Sequence, residues 1–264
     1  MNSPSFSELL DSLKSLGSGE SIVSITDNWM QGRTTYGGLS AALCLQAVVN
    51  DFDDLPPLRS AQINFIGPAG GQVSITTKLM RRGRSVAYVS AVMTSEKGLA
   101  THAVFCFGAR RESRLNRDFT FAPRVPSIAE SSDFSDSGSR PAFTKNYDCL
   151  LAQGAKPLSG SNAHEHYYWI RHKDKHAQNL SALIGIADMP PPAAMSLFKE
   201  AAPISSMTWM VNFLSDDIAT EAGWWLVRSA AEHARDGYSS QDMQVWNSKG
   251  NLVISAMQNV AIFY

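Results

Sequence analysis

Apolar and polar positions alternate with a period of two along most of this chain, and the alternation breaks down in two places. Gln72–Arg82 alternates through Val73, Ile75 and Leu79; Ser85–Thr94 alternates through Val86, Tyr88, Ser90 and Val92. Leu99–Ala109 carries Ala103, Phe105 and Phe107, and the shorter Arg59–Ile66 is bounded by Pro57 and Gly67-Pro68. Turn residues join these strands at Gly70-Gly71, Gly83 and Lys97-Gly98. Ahead of them, residues 5–16 have Leu9, Leu10, Leu13 and Leu16 near helical spacing, and Ser21–Thr26 is a strand with Trp29–Thr35 as its expected partner. The first break is Leu39–Val49, where only Ser40 and Gln46 are polar. A helix that is apolar on almost every face must be enclosed. A meander of strands plus one enclosed helix predicts an antiparallel sheet curled around that helix.

Residues 112–141 are rich in Ser, Asp, Arg and Pro and read as a linker, with Phe119, Phe121 and Phe134 as its possible packing points. The pattern then repeats. Phe143–Leu151 and Glu165–His172 are strand candidates ahead of a second apolar segment, Leu180–Ala187, the other break in the alternation. Gly223–His233, Tyr238–Asn247 and Asn251–Phe263 form the closing meander. Ile63-Asn64-Phe65 recurs as Val211-Asn212-Phe213, 148 residues on, and Lys97-Gly98 recurs as Lys249-Gly250, 152 residues on. Echoes at near-constant offset in the same strand order indicate a duplication. The expected units are residues 1–111 and 142–264, joined by 112–141.

Composition narrows the function classes. Of the 264 residues 44% are hydrophobic and 18% charged, enough for a substantial core, and the net charge of −1 gives no reason to expect nucleic acid or an anionic membrane. No apolar run approaches the roughly 20 residues that span a bilayer, and Met1–Glu8 lacks the basic start and apolar centre of a secretory signal. Cys44, Cys106 and Cys149 are odd in number and far apart, so neither a disulfide framework nor a paired zinc site is expected. The six histidines show no metal-binding spacing. The reading is a soluble cytoplasmic protein without metal or cofactor.

The candidate chemistry lies between Asn179 and Phe213. The apolar segment 180–187 delivers one carboxylate, Asp188; Pro190, Pro191 and Pro192 follow, then a strand over Ile204–Phe213. Strict alternation puts Ser206, Thr208 and Asn212 on one face and Met207, Trp209, Val211 and Phe213 on the other. An uncharged face of small hydroxyls suits the lining of a pocket. From residue type alone Asp188 could equally cap a turn. Gln258 stands in an otherwise apolar strand, and if buried it must be hydrogen-bonded. Arg81, Arg82 and Arg84 surround Gly83 on a tight turn, either as a solvated hairpin or as a phosphate site.

Gly32-Arg-Thr-Thr-Tyr-Gly-Gly38 before the first enclosed helix, Arg81-Arg-Gly-Arg-Ser85 between two strands, Asp188, Ser206 and Ala256-Met-Gln258 together resemble the bacterial acyl-CoA thioesterase II family. The resemblance runs from about Trp29 to Tyr264. It implies an α+β double hotdog: two antiparallel sheets, each curled around a central helix. It also implies hydrolysis of fatty acyl-CoA by a water positioned between Asp188, Ser206 and Gln258. Many members carry an acid two positions after the hydroxyl residue, where this chain has Thr208-Trp209. Thr208 is therefore an alternative hydroxyl. Tyr36, Gly37 and Gly38, and Gly83, Arg84 and Ser85, are the expected substrate-binding residues. The implied partners are acyl-CoA and further copies of the chain, as a dimer or tetramer. Thioester hydrolysis needs a water, a group that takes its proton and donors for the oxyanion, and N–H groups opening a helix at Gly37-Gly38 are expected to be such donors. Subtracting the two offsets places Ser40, Leu58 and Cys106 where Asp188, Ser206 and Gln258 stand, so one site per chain is expected. Two other functions fit less of this pattern. A hotdog hydratase would need a catalytic His near a central helix. A non-catalytic acyl-CoA-binding protein would use the same fold without the trio's chemistry.

Overall fold

A computed structural model describes residues 3–134 and 140–264. Residues 135–139 of the expected linker, and the first two residues, lie outside the described part. The first half contains α1 (Phe6–Asp11), β1 (Lys14–Gly17), β2 (Glu20–Ile25), the two-residue strands β3 (Met30–Gln31) and β4 (Thr34–Thr35), α2 (Gly37–Asp51), β5 (Leu58–Phe65), β6 (Gly71–Arg82), β7 (Val86–Ser95) and β8 (Gly98–Gly108). The second contains β9 (Ser132–Asp133), β10 (Tyr147–Gly154), β11 (Glu165–His172), α3 (Leu180–Ala187), β12 (Ile204–Phe213), β13 (Trp225–Arg235), β14 (Tyr238–Trp246) and β15 (Leu252–Ile262). Among the described residues no helix is long and apolar enough to cross a membrane.

The expectation of two separate sheets is corrected. All strands except the β3–β4 pair belong to one 13-stranded sheet, ordered β1-β2-β6-β7-β8-β5-β12-β15-β14-β13-β11-β10-β9. The halves meet where β5 and β12 pair antiparallel, from Asn64↔Thr208 to Ser60↔Asn212. Left apart, each of these strands would end its sheet with a row of unpaired N–H and C=O groups. Pairing them removes both edges at once.

The duplication is written in the sheet's irregularities. β5 shifts register against β8 between Leu58 and Ser60, and β12 shifts against β15 between Ser206 and Thr208, an offset of 148 from 58 to 206. β6 and β13 shift after Leu79 and Ala231, and β7 and β14 after Met93 and Val245, each an offset of 152. A β-bulge turns the following side chains over to the other face, so matched bulges keep inward positions inward in both halves.

Three local expectations change. The helix predicted over 5–16 stops at Asp11; Ser5 and Glu8 form a capping box at its start, and Lys14–Gly17 pairs with β2 instead. Trp29–Thr35 does not pair with β2, whose neighbours are β1 and β6. Trp29 is buried in a 3-10 turn, and β3 and β4 pair only with each other. Of the linker aromatics, Phe119 and Phe121 are exposed, whereas Phe134 is buried against Tyr168, ring centroids 4.8 Å apart.

α2 is enclosed as its sequence requires: Leu39, Ala41, Ala42, Leu43, Cys44, Leu45, Ala47 and Val48 are all 0% exposed. It packs on β6, β7 and β8 and against α3. Val49 at its C-terminal end is 44% exposed, but the turns before it are enclosed, so truncating the core side there is expected to be costly. Leu43→Ala should lower unfolding free energy by about 2–5 kcal/mol in urea titrations. A loss well under about 1 kcal/mol would show that the helix is not enclosed.

Candidate active site

Asp188 is placed by what starts and stops α3. The Asn179 side chain caps the helix by accepting from Ala182 N–H at 2.8 Å, and its apolar residues bury it on nearly every side. Three prolines after Met189 supply no N–H and cannot continue the helix, so it ends with Asp188 as its C-cap. α3 lies against α2, with the far ends tied by Ser181 Oγ donating to Gln46 Oε1 at 3.1 Å. The near end brings Asp188 against the start of α2. There a Cβ on Gly38 would stand 2.9 Å from the Gly185 carbonyl and 3.1 Å from Asp188 Cβ. A Cβ on Gly37 would stand 2.8 Å from Asp188 Oδ2 and from the Phe65 ring. Both positions need glycine for close approach rather than for an unusual φ.

Asp188 is half-buried at the end of α3. Gln258 Nε2 donates to its Oδ1 at 2.7 Å, and the Gly38 backbone N–H donates to it as well. Burial raises the Asp188 pKa from 3.8 to about 6, while the Gln258 and Gly38 hydrogen bonds hold it down. The phenols of Tyr36 and Tyr147 bond each other beside it, and burial is the main cause that pushes both above their ordinary range. One expectation narrows here: the Gly38 N–H faces Asp188 rather than substrate.

The structure brings Asp188, Gln258, Gly37 and Gly38 together, with Tyr36 alongside. The expected hydroxyls separate. Met207 is the extra residue of the β12 bulge, so Ser206 stands opposite Val260 and Thr208 opposite Asn259. Directly opposed residues share a face. Ser206 thus faces inward with buried Val260, on the face of Gln258, while Thr208 is exposed on the outer face. The expectation that both hydroxyls share one face is corrected, because the bulge reverses the alternation between them. No hydrogen bond joins Ser206 Oγ to Asp188 or Gln258; the strand register makes Ser206 and Gln258 diagonal neighbours, about 7–8 Å apart along the backbone.

Gly83, Arg84 and Ser85 are not part of this cluster. Arg82 pairs with Asp54 at 2.8 Å, just past the C-terminal end of α2, which puts the turn at the opposite end of that helix. The fourteen residue steps from Gly38 to the C-cap Phe52 span about 21 Å. Beside the loop that leads into α2, a cleft of about 300 Å³ is lined by Met30, Arg33, Ala69, Glu96 and Lys97.

One residue escaped the sequence reading. Gln241 of β14, 2% exposed, stands opposite Gln258 and donates from Nε2 to Gln258 Oε1 at 2.9 Å. Its own Oε1 accepts from Ala193 N–H at 3.1 Å. The available signal was a second glutamine on the inward face of a strand neighbouring the Gln258 strand. The matched bulges also revise the internal comparison. Trp209 pairs with Gln258 as Ala61 pairs with Phe105, so Phe105, not Cys106, holds the Gln258 position in the first half. Phe52 caps α2 where Asp188 caps α3. That end of the first half is an apolar cleft of about 510 Å³ lined by Val49, Phe52, Leu55, Leu58 and Leu180, with Asp53 and Asp216 at hand.

Among the described residues no group of three His, Cys, Asp or Glu could hold a metal ion. The histidines nearest α3 and its proline run are buried and neutral: His172 Nε2 donates to the Ala182 carbonyl and His166 bonds the Pro191 carbonyl, with burial pushing their pKa values down to about 4 and about 3. Neither hydrogen-bonds Asp188, as the hydratase reading would need.

Comparison with known proteins agrees with both halves of the chain. Residues 25–108 match the acyl-CoA thioesterase N-terminal domain and residues 122–262 the acyl-CoA thioesterase C-terminal domain. No curated protein sequence matches at a significant level. Among solved structures, a conserved protein of unknown function with a hot dog fold from Alicyclobacillus acidocaldarius is 23% identical over 98% of both chains, with a TM-score of 0.88. Acyl-CoA thioesterase II TesB2 from Mycobacterium marinum is 18% identical over 98% of both chains, with a TM-score of 0.77. The dehydratase domain of RzxB from Pseudomonas fluorescens also shares the fold, at 11% identity over 95% of this chain and 96% of that one, with a TM-score of 0.56.

The raised Asp188 pKa has a sign in stability. Folding raises this pKa above its unfolded value, so the folded state holds the proton more tightly between about pH 4 and pH 6. The associated stability is fully present below about pH 4 and is lost as pH rises through about 6. A shift of about two units corresponds to about 3 kcal/mol. Asp188→Asn, which cannot ionise, is therefore expected to gain stability relative to the parent on going from pH 4 to pH 8. Urea unfolding at the two pH values checks this, and an equal difference at both would refute the shift.

Proposed function

The chain belongs to the acyl-CoA thioesterase family and is a thioester hydrolase, and on that premise we propose that Asp188 activates the attacking water. The observation that carries the reading is a half-buried carboxylate held by Gln258 at 2.7 Å against a helix start where Gly37 admits close approach, and desolvation there raises its pKa to about 6. A general base is most effective when its pKa lies close to working pH. Asp188 Oδ1 accepts from Gln258, so Oδ2, on the Gly37 side, is the oxygen that takes the proton.

In the proposed step the water oxygen bonds to the thioester carbonyl carbon as its proton passes to Asp188. The carbonyl oxygen becomes an oxyanion, with the Gly37 N–H and the second Gln258 N–H as candidate donors. Collapse of the tetrahedral intermediate re-forms the carbonyl and breaks the C–S bond. The departing thiolate of coenzyme A recovers the proton from Asp188. Ser206, inward-facing two positions along from Gln258, orients the water; Thr208, on the outer face, has no part. For the nucleotide end of coenzyme A, we assign the phosphates to Arg33 and Lys97 in the cleft beside the loop before α2, because the Arg84 turn stands at the far end of that helix.

Hydrolysis of a panel of fatty acyl-CoAs tests this. Asp188→Asn should lower kcat by about 10²–10⁴-fold with KM nearly unchanged, and the parent should show an acid limb near pH 6. Ser206→Ala should lower kcat and Thr208→Val should not. Unchanged turnover in Asp188→Asn would remove the mechanism and leave the trio of Asp188, Ser206 and Gln258 with a non-catalytic role. A separate comparison addresses the phosphates: Arg33→Ala should raise KM for full coenzyme A esters but not for pantetheine esters. Arg84→Ala should change neither, and the reverse result would return the phosphates to the 83–85 turn.

A further inference from the structure

The carboxylate, the two glutamines and one backbone amide form a single line of hydrogen bonds that runs into the interior from Asp188. Ala193 N–H donates to Gln241 Oε1 at 3.1 Å, Gln241 Nε2 to Gln258 Oε1 at 2.9 Å, and Gln258 Nε2 to Asp188 Oδ1 at 2.7 Å. Both glutamines are 2% exposed, so water is not at hand to replace a lost partner.

The direction of this line does not depend on which end of each amide is drawn as nitrogen. A backbone N–H can only donate, and an ionised carboxylate can only accept. With a fixed donor at one end and a fixed acceptor at the other, each amide between them has one orientation that satisfies all three bonds. Flipping Gln258 alone would set its oxygen against the carboxylate and its NH₂ against that of Gln241. From this geometry we infer that Gln241 is a positioning residue for hydrolysis: it holds the Gln258 amide with NH₂ toward Asp188, and Ala193 N–H, at the start of the 3-10 turn Ala193–Leu197, holds Gln241 in turn.

Two consequences follow for the reaction. Gln258 presents donors, not its oxygen, to the reacting centre, which favours the ionised, proton-accepting form of Asp188. Since Oδ1 already faces a donor, the transferred proton is directed to Oδ2. The inference rests on Asp188 acting as the base. The other titratable groups whose charge reaches Asp188 are the Tyr36 and Tyr147 phenols, and both stay neutral across the working range. Asp188 apart, no charged group among the described residues bonds either glutamine.

The test compares two variants at position 241 with the parent and with Asp188→Asn, using full pH profiles of kcat and KM on a fatty acyl-CoA. Gln241→Glu replaces the donor facing Gln258 with an acceptor, so Gln258 should turn over and set its oxygen against Asp188. Gln241→Met fills similar space, adds no titrating group and leaves Gln258 free to turn. Both should keep a parent-like circular dichroism spectrum and KM. The acid limb should move up by about one unit in Gln241→Met and further in Gln241→Glu, and kcat on the plateau should fall by about 10-fold and about 10²-fold. An acid limb that stays at the parent pH in both variants would overturn the inference, whatever happens to thermal stability. Failure of the base assignment reads differently, as Asp188→Asn that turns over like the parent.

Discussion

A carboxylate at the C-terminal end of one enclosed helix, pressed against the N-terminal end of another, is the contact on which this site depends. Asp188 is at the unfavourable pole of α3 and gains the N–H of Gly38 from the favourable pole of α2. The two helices can meet there only because Gly38 leaves no Cβ between Asp188 Cβ and the Gly185 carbonyl. Each half contributes one helix, so neither could build the site alone. The pairing of β5 with β12 has the same consequence at the level of the sheet, since it fixes the two helices on one continuous surface.

Within that shared frame the halves have diverged by content rather than by shape. Strand order and bulges correspond position by position, so inward-facing places are conserved as geometry. What fills them differs. The C-cap of α3 is Asp188 and that of α2 is Phe52; opposite the second-half Gln258 position the first half has Phe105, and opposite Ser206 it has Leu58. A buried acid without the glutamine would be an uncompensated charge, and a buried glutamine without the acid would be an unpaired amide. The polar set therefore has to be present together or absent together, which is how the two halves differ.

Much of this was legible in the chain because the signals were local. The all-round apolar run from Leu39 to Val49 demanded enclosure, and the alternating meanders demanded antiparallel strands. The Val-Asn-Phe echo carried the duplication, and Asp188 with Gln258 stood out as polar residues in apolar company. The features that escaped were set by pairing. The bulge at Met207 has no residue signature, yet it alone decides that Ser206 faces inward and Thr208 outward. Gln241 looked like one more polar residue on a strand; its meaning comes from the register that places it beside Gln258. One sheet rather than two followed from the need of β5 and β12 for partners, a need that periodicity within either strand cannot express. The helix predicted through Leu16 ended early because the backbone of Lys14–Gly17 found a partner in β2, and ladder pairing outweighed helical spacing.

The site also has a cost that its fold absorbs elsewhere. Keeping Asp188 ionised near neutral pH works against its burial, and the two donors that reach it recover part of that expense. Adding a third protein donor, or a water channel, would lower the pKa and steady the fold, but it would also weaken the carboxylate as a base. The line from Ala193 through Gln241 and Gln258 supplies order without supplying charge: it fixes a donor on one oxygen and leaves the other facing Gly37. A cation in place of Gln258 would hold the acid more firmly and spoil it for proton transfer. An amide oriented by a second amide is the milder restraint, strong enough to position the carboxylate and weak enough to leave it basic.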